Sequence, residues 1–301
     1  MPELPDVEVY VDRLRELCKG QKLVQVRLKS PFLLRSVDPP LKAVFDKRVK
    51  GFHRIGKRIV MELGGQHYLV LHLMIAGRLR MADRQAELKT KMQLAAFDFE
   101  EFSIVLSEAG SKKRASLYVV RGRANLAQFE RGGLEPLSAT LAQFREAISR
   151  ENRTLKRALT DPRIISGVGN AYSDEMLHEA RLSPVKRTAQ LSEQEVERLF
   201  LACQHTLGLW RERLMREVGD GFPDKVTAFR EGMSVHGRYK EPCPVCGTKV
   251  QRIRYAHNEV NYCPTCQTGG RLLADRALSR LLRSDWPKSL EELDERLGRS
   301  D

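Results

Sequence analysis

The 301 residues include no apolar run long enough to cross a bilayer. Asp6 and Glu8 stand where a secretory leader would carry cations. Internal repeats and low-complexity segments are also missing. These absences exclude a helical membrane protein, an exported chain and a solenoid, and leave a soluble, cytoplasmic protein as the expectation. Acidic residues are in deficit, with 39 Asp and Glu against 52 Lys and Arg and a formal charge of +13. Such an excess points to a polyanionic partner, although scattered surface lysines give the same total. Cysteine is scarce, and four of the six fall in two Cys-x-x-Cys pairs, a spacing that reads as metal binding rather than disulfides. Cys18 and Cys203 lie on apolar helical stripes and are expected as buried thiols.

The first residues, Met1-Pro2-Glu3-Leu4-Pro5-Asp6, organise the rest of the reading. Removal of Met1 leaves Pro2 with a free secondary amine whose ring fixes its direction. A secondary amine attacks a carbonyl-like carbon and becomes an iminium, which is covalent catalysis with an electron sink. Glu3, one residue on, is placed to shuttle the proton. Pro5 suits the first turn of a helix, and Val7, Tyr10, Val11, Leu14, Leu17 and Cys18 supply its apolar stripe, with Gly20 as the stop. The same residues also read as an ordinary capped helix start.

Lys22 to Leu34 and Val44 to Leu63 read as strands, followed by Tyr68 to Leu73, Phe97 to Phe102, Ser103 to Leu106 and Leu117 to Val120. Lys57, beside Gly56 in a basic turn, suits a phosphate or is simply solvated. The Gly-Gly-Leu-Glu-Pro stretch near residues 131–137 marks a domain connection, after which the pattern turns helical. Gly167-Val168-Gly169-Asn170 leads into a helix expected over Ala171 to Ala180 with Asn170 as its cap, so Gly169 and Asn170 present an amide-lined site for phosphate. Ser192 and Glu195 form a capping box for the next helix. The tail from Leu272 to Leu297 carries a leucine stripe and reads as a helical appendage.

Cys243, Cys246, Cys263 and Cys266 stand as two knuckles with sixteen residues between them, which fits one tetrahedral zinc ion. Four thiolates leave no open position, so the ion is structural; an iron–sulfur cluster or a redox pair is the alternative. Lys249, Arg252, Arg254, His257 and Asn258 lie between the knuckles and suit phosphate contact, with His257 at the surface rather than on the metal.

In this order the pieces resemble the bacterial formamidopyrimidine-DNA glycosylase and endonuclease VIII family. The match rests on Pro2 through Glu8, on Gly56-Lys57, and on Gly167 through Tyr172 with Asp174-Glu175. It is completed by Val235-His236-Gly237-Arg238 and by Pro242-Cys243 through Cys266-Gln267. The resemblance implies an α+β chain of two domains, an amino-terminal β-sandwich led by one helix and a helical domain carrying a helix–two-turn–helix and a zinc finger. The expected divisions are 1–130 for the sandwich, 131–150 for the connection, 151–235 for the helical part, 236–270 for the finger and 271–301 for the extension. It implies a monomeric, nucleoid-associated DNA glycosylase and abasic-site lyase in base excision repair, turning a damaged base out of the duplex into a cleft between the domains. Pro2 attacks the sugar, Glu3 moves protons, and Lys57 and Asn170 hold the phosphates beside the lesion.

This sequence departs from the family pattern in places. His72-Leu73-Met74-Ile75-Ala76-Gly77 puts Met74 where the family has glycine and Ile75 where it has the methionine that fills the hole left by the base. Lys112 and Lys113 stand in place of an Arg-x-Phe loop, and neither wedges as an aromatic does. Asn258 takes the position of the finger's phosphate-gripping arginine, losing charge and bidentate geometry, with Arg252 and Arg254 as substitutes from the same hairpin. Residues Val218 to Glu231 lack the Gly-Gly-Thr-Thr pattern of the purine-directed members. Retained chemistry with altered lesion choice is the expectation, with single-stranded DNA easier to engage than duplex. Two other readings stay open: a non-catalytic DNA-binding protein on the same scaffold, and a zinc-ribbon accessory factor.

Overall fold

A computed structural model describes residues 1–223, 226, 230–255, 258–274 and 285–296; the side chains of Tyr255, Asn258 and Asp294 lie outside that description. The chain divides into two compact units, one of residues 1–132 and 208–228 and the other of residues 133–207 and 229–301. The return of 208–228 to the first unit has no counterpart in the sequence reading, which carried the helical part through 151–235.

The first unit begins with helix α1, Leu4–Cys18, whose last carbonyls are closed off before Gly20 takes a left-handed φ of 85°. Two antiparallel sheets follow. One has the order β1–β3–β4–β5–β9 (Lys22–Leu23, Lys47–Ile55, Arg58–Leu63, His67–His72, Ser116–Arg121). The other has the order β2–β7–β8–β6 (Gln25–Leu28, Gln93–Asp98, Phe102–Glu108, Gly77–Asp83). Leu14 of α1, Phe52, Ile59, Met61, Leu69, Leu71 and Leu117 of the first sheet, and Leu79, Phe97 and Ile104 of the second, share one buried cluster. The inward faces of both sheets therefore make the core of a sandwich.

The unbroken apolar runs of β4 and β5 have a simple cause. Side chains alternate across a strand, and here both faces are covered. Ile59, Met61, Leu69 and Leu71 enter the sandwich core, while Val60, Tyr68 and Val70 pack with Leu126 and Phe129 of the 3-10 turns at Arg123–Phe129.

Two strand expectations need correction, and one strand was not foreseen. Lys22 to Leu34 is not one strand, because the chain changes sheets at Val24, whose N–H donates to Asp98, and Pro31–Leu33 forms a 3-10 turn. Phe97 to Phe102 breaks at a tight turn closed by Phe99 N–H on Phe102 O at 2.8 Å. Strand β6 was not foreseen, since its alternating Arg78 and Arg80 hide a period-two pattern that sends Gly77 and Leu79 inward.

The second unit holds α2 (Leu141–Ser149), α3 (Leu155–Thr160), α4 (Asn170–Glu179) and the first part of α5 (Glu193–Val218). The expected capping box is present, with Ser192 N–H donating to Glu195 Oε2 at 2.9 Å. The finger follows as hairpin β10–β11 (Gln251–Tyr255, Asn258–Tyr262) and short helix α6 (Pro264–Thr268). Of the expected tail helix, α7 covers Leu290–Arg296, and the leucine stripe through 277–282 lies outside the described residues. No helix among the described residues is long and apolar enough to cross a membrane.

Candidate active site and nucleic-acid interface

The amino-terminal site is held by the start of α1. Glu3 is the residue before the helix, and its N–H donates to Asp6 Oδ2 at 2.8 Å in a reciprocal capping box. Pro2, Glu3 and Asp6 are all buried, the two carboxylates 2% exposed. Burial lowers the terminal amine on Met1 below its ordinary value. Glu3 and Asp6 oppose that shift while Arg78 and Lys57 add to it, so these four side chains share its electrostatic environment.

Lys57 follows Gly56, whose φ of 59° makes the β3–β4 turn. Arg54 fastens that turn to α1, its Nε on Glu8 Oε1 at 2.9 Å and its Nη1 on Gly56 O at 2.7 Å. Met74 and Ile75 sit at the tip of the β5–β6 turn, closed by Gly77 N–H on Leu73 O at 2.9 Å. Met74 has a φ of 54°, which explains why glycine suits its position, and Ile75 is 55% exposed. A Cβ on Gly77 would meet Leu73 O at 2.2 Å, so the closure requires glycine there. His72, at the foot of this turn, is pushed down to about 4 by burial, with Arg58 and Lys57 adding to the effect.

Lys112 is exposed in the β8–β9 loop, whereas Lys113 donates through Nζ to Glu108 O. The loop is organised by the buried Glu108 carboxylate, which accepts from Arg114 N–H at 2.8 Å and Ala115 N–H at 3.0 Å. That role was not read from the sequence; a lone glutamate closing an apolar strand is the available signal.

In the second unit the expected cap at Asn170 is corrected. Gly169 is the residue before α4, and Asn170 is its first helical residue. The Asn170 side chain leaves the helix start and donates through Nδ2 to Glu259 O of β11 at 2.6 Å. Its own carbonyl accepts from Lys156 Nζ at 2.6 Å. Asp174 is fully buried and takes Lys156, His236 Nδ1 at 2.8 Å and Asn261 N–H at 3.1 Å. Glu175 accepts three backbone N–H groups, from Ser234 at 2.6 Å and from Val235 and His236 at 2.9 Å each. Burial raises its proton affinity, and these three bonds oppose that. The role of this acidic pair is not legible from residue type; two carboxylates in mid-helix are the available signal.

On the finger hairpin, Arg252 stacks over the Tyr239 ring at 4.0 Å and reaches Glu259 Oε2 at 3.2 Å. Arg254 is 64% exposed, 3.8 Å from the same oxygen. Asn258 pairs with Tyr255 in the hairpin; its side chain, and His257, expected at the surface, lie outside the described residues.

The four cysteines meet, every pair of sulfurs lying within 4.8 Å. Two Sγ pairs are 3.4 and 3.9 Å apart, close to the separation of about 3.8 Å that a tetrahedron with 2.3 Å metal–sulfur bonds requires. The residues therefore fit a closed, structural metal site. Cys18 and Cys203 stay apart from it, buried, their thiols pushed up to about 12.

A helix-led sandwich, a helix–two-turn–helix and a four-cysteine finger on one chain define a narrow structural class. Residues 1–112 match the formamidopyrimidine-DNA glycosylase N-terminal domain, 133–209 its H2TH domain, and 240–269 the zinc finger found in FPG and IleRS. The chain is 33% identical over 282 residues to a formamidopyrimidine-DNA glycosylase of Thermus thermophilus, covering 90% of this chain and 100% of the relative. With the Listeria monocytogenes enzyme of that name it shares 28% over 279 residues, 89% of this chain and 100% of the relative. Among solved structures, a wild-type Lactococcus lactis enzyme in complex with DNA containing an oxidized pyrimidine superposes with a TM-score of 0.77. Identity there is 26%, over 89% of this chain and 100% of that one. The chain belongs to the formamidopyrimidine-DNA glycosylase family.

Proposed function

We propose that the chain is a bifunctional DNA glycosylase and abasic-site lyase of base excision repair, acting in the cytoplasm as a monomer. The observation that carries this reading is a buried Pro2 beside a buried Glu3, both held at the start of α1 by the capping box with Asp6. With Met1 removed, the Pro2 nitrogen attacks C1′ of the damaged nucleotide; the N–C1′ bond forms and the glycosidic bond breaks. The departing base takes a proton, and Glu3 supplies the shuttle for this and for sugar-ring opening to the iminium. That cation acidifies C2′, whose proton leaves as the 3′ C–O bond breaks, and a second elimination releases the 5′ phosphate. Lys57 steadies a flanking phosphate. Asn170 contributes from α4 by exchanging its bond to Glu259 O for one to a phosphate oxygen. The base removed is an oxidised one, extruded from the stack.

The four cysteines hold one zinc ion, which fixes the finger's fold and carries no chemistry. Arg252 and Arg254 supply positive charge on its hairpin in place of the arginine that Asn258 replaces. Ile75 and Met74 stand in for the residues that fill the vacated base position, with Lys112 and Lys113 adding only charge. A weak wedge favours DNA whose bases are already unstacked.

Borohydride trapping on a lesion-bearing oligonucleotide tests the chemistry. A covalent protein–DNA adduct is expected, lost in Pro2→Gly and strongly reduced in Glu3→Gln. Adducts undiminished in both variants reject the assignment, and retention of Met1 in the mature chain leaves only a DNA-binding protein. Matched single- and double-stranded substrates test the second part: excision at least as fast on the single strand is expected, and a strong duplex preference defeats it.

A further inference from the structure

Helix α4 turns three side chains toward the finger and the segment leading into it: Asp174 grips the finger's main chain at Asn261, and Glu175 grips that of residues 234–236. The third does something different. His178, 5% exposed, places Nε2 3.2 Å from Sγ of Cys243, itself 2% exposed. Two of the other three knuckle sulfurs have polar neighbours within the finger. Thr248 Oγ1 lies 3.3 Å from Cys246 Sγ, and Cys266 N–H donates to Cys263 Sγ at 3.5 Å. Among the described hydrogen-bond partners of Cys243 Sγ, the nitrogen comes from outside the finger, from a helix that begins at Asn170.

Four thiolates around a divalent ion carry a net charge of −2, most costly where the sulfur is dry. A hydrogen bond to a metal-bound ligand disperses that charge and fixes the ligand's orientation. We propose that His178 donates its Nε2–H to the Cys243 thiolate, slowing metal loss and tying the first knuckle to the helix that carries Asn170. This inference rests on the metal reading of the four cysteines. His178 is a positioning residue, touching neither DNA nor the reacting atoms. Asp174 and His178 are one helical turn apart and so share a face, and Asp174 holds Lys156, which in turn holds the Asn170 carbonyl. The knuckle, the finger hairpin and the phosphate-binding turn thus hang on one helix.

The test uses the full metal-loaded chain. Release of the ion to an excess of a chromogenic chelator is followed in wild type, His178→Phe and His178→Gln. Phenylalanine keeps the ring volume without the donor, and glutamine restores an N–H. Release at least about tenfold faster is expected for phenylalanine, the scale of effect for such partners, with glutamine near wild type. A phenylalanine variant that releases at the wild-type rate overturns the proposal. If that variant does not fold, nitrogen-15 spectra of the wild-type histidine ring, with cadmium-113 in place of the ion, decide the matter. A proton on Nε2 coupled to cadmium is expected, and a proton on Nδ1 overturns the proposal. A chain that binds no metal overturns the metal reading and this inference together, whereas a loaded chain with the Nδ1 proton overturns this inference alone.

Discussion

Replacing Glu175 by glutamine removes a charge without removing volume, and the three backbone bonds allow its cost to be worked out. Oε1 serves Val235 and His236, and Oε2 serves Ser234. A glutamine amide can keep its oxygen on the first two, but its NH2 then faces the Ser234 N–H, donor against donor. Hydrogen bonds to charged groups contribute about 1.5–3 kcal/mol each and neutral ones about 1. One bond is lost and two are weakened, a gross cost of about 4 kcal/mol by that scale. Burial of the charged form outweighs these bonds in setting the raised proton affinity of Glu175, so its relief in the amide offsets the weakening, and the cost that remains is the partly buried Ser234 N–H left facing a donor. The net expectation is about 2 kcal/mol, felt where 234–236 leads into the finger. A two-unit chain is a poor subject for a single unfolding transition, so native-state hydrogen exchange is the assay. Amides 234–236 should exchange about thirtyfold faster, the equivalent of 2 kcal/mol, with the sandwich strands unaffected. Unchanged protection at those three amides would mean that the carboxylate does not hold the segment, and the reasoning would fail.

Gly77→Ala forces a Cβ to within 2.2 Å of a backbone oxygen that has no rotamer to escape into. A loss of about 2–3 kcal/mol is expected, at the upper end for overpacking, visible as faster native-state exchange of the β5 and β6 amides; unchanged exchange there would show that the turn reopens freely. His72 titrates near 6.5 when unfolded and about 4 when folded, so the unfolded chain takes up the proton first as the solution is acidified. Its contribution is intact above pH 6.5 and is lost progressively toward pH 4, with a limit of about 3 kcal/mol. His72→Asn should flatten that part of the stability profile, and parallel profiles for the two proteins would contradict the assignment.

Features that announce themselves by spacing were legible in the chain. The cysteine pairs gave a site whose sulfurs meet, and the stripe of α1 gave its length almost to the residue. What stayed hidden depends on partners far apart in sequence. Strand β6 lacks an apolar run, because its outward arginines break the pattern. Asn170 has the composition of a cap, yet its amide is drawn to Glu259, 89 residues on, and Gly169 takes its place. Glu108, Asp174 and Glu175 grip main-chain N–H groups, and a main-chain partner leaves no trace in residue type. His178 was invisible for a related reason: nothing local pairs a histidine with a cysteine 65 positions away.

The closed turn from Leu73 to Gly77 leaves Ile75 standing in water, shaped before anything arrives to cover it. A loose loop would have to be frozen at the moment of encounter, whereas here that ordering is done once, during folding. The exposed aliphatic surface is a small standing penalty of the resting molecule, one that any apolar surface closing over it would relieve.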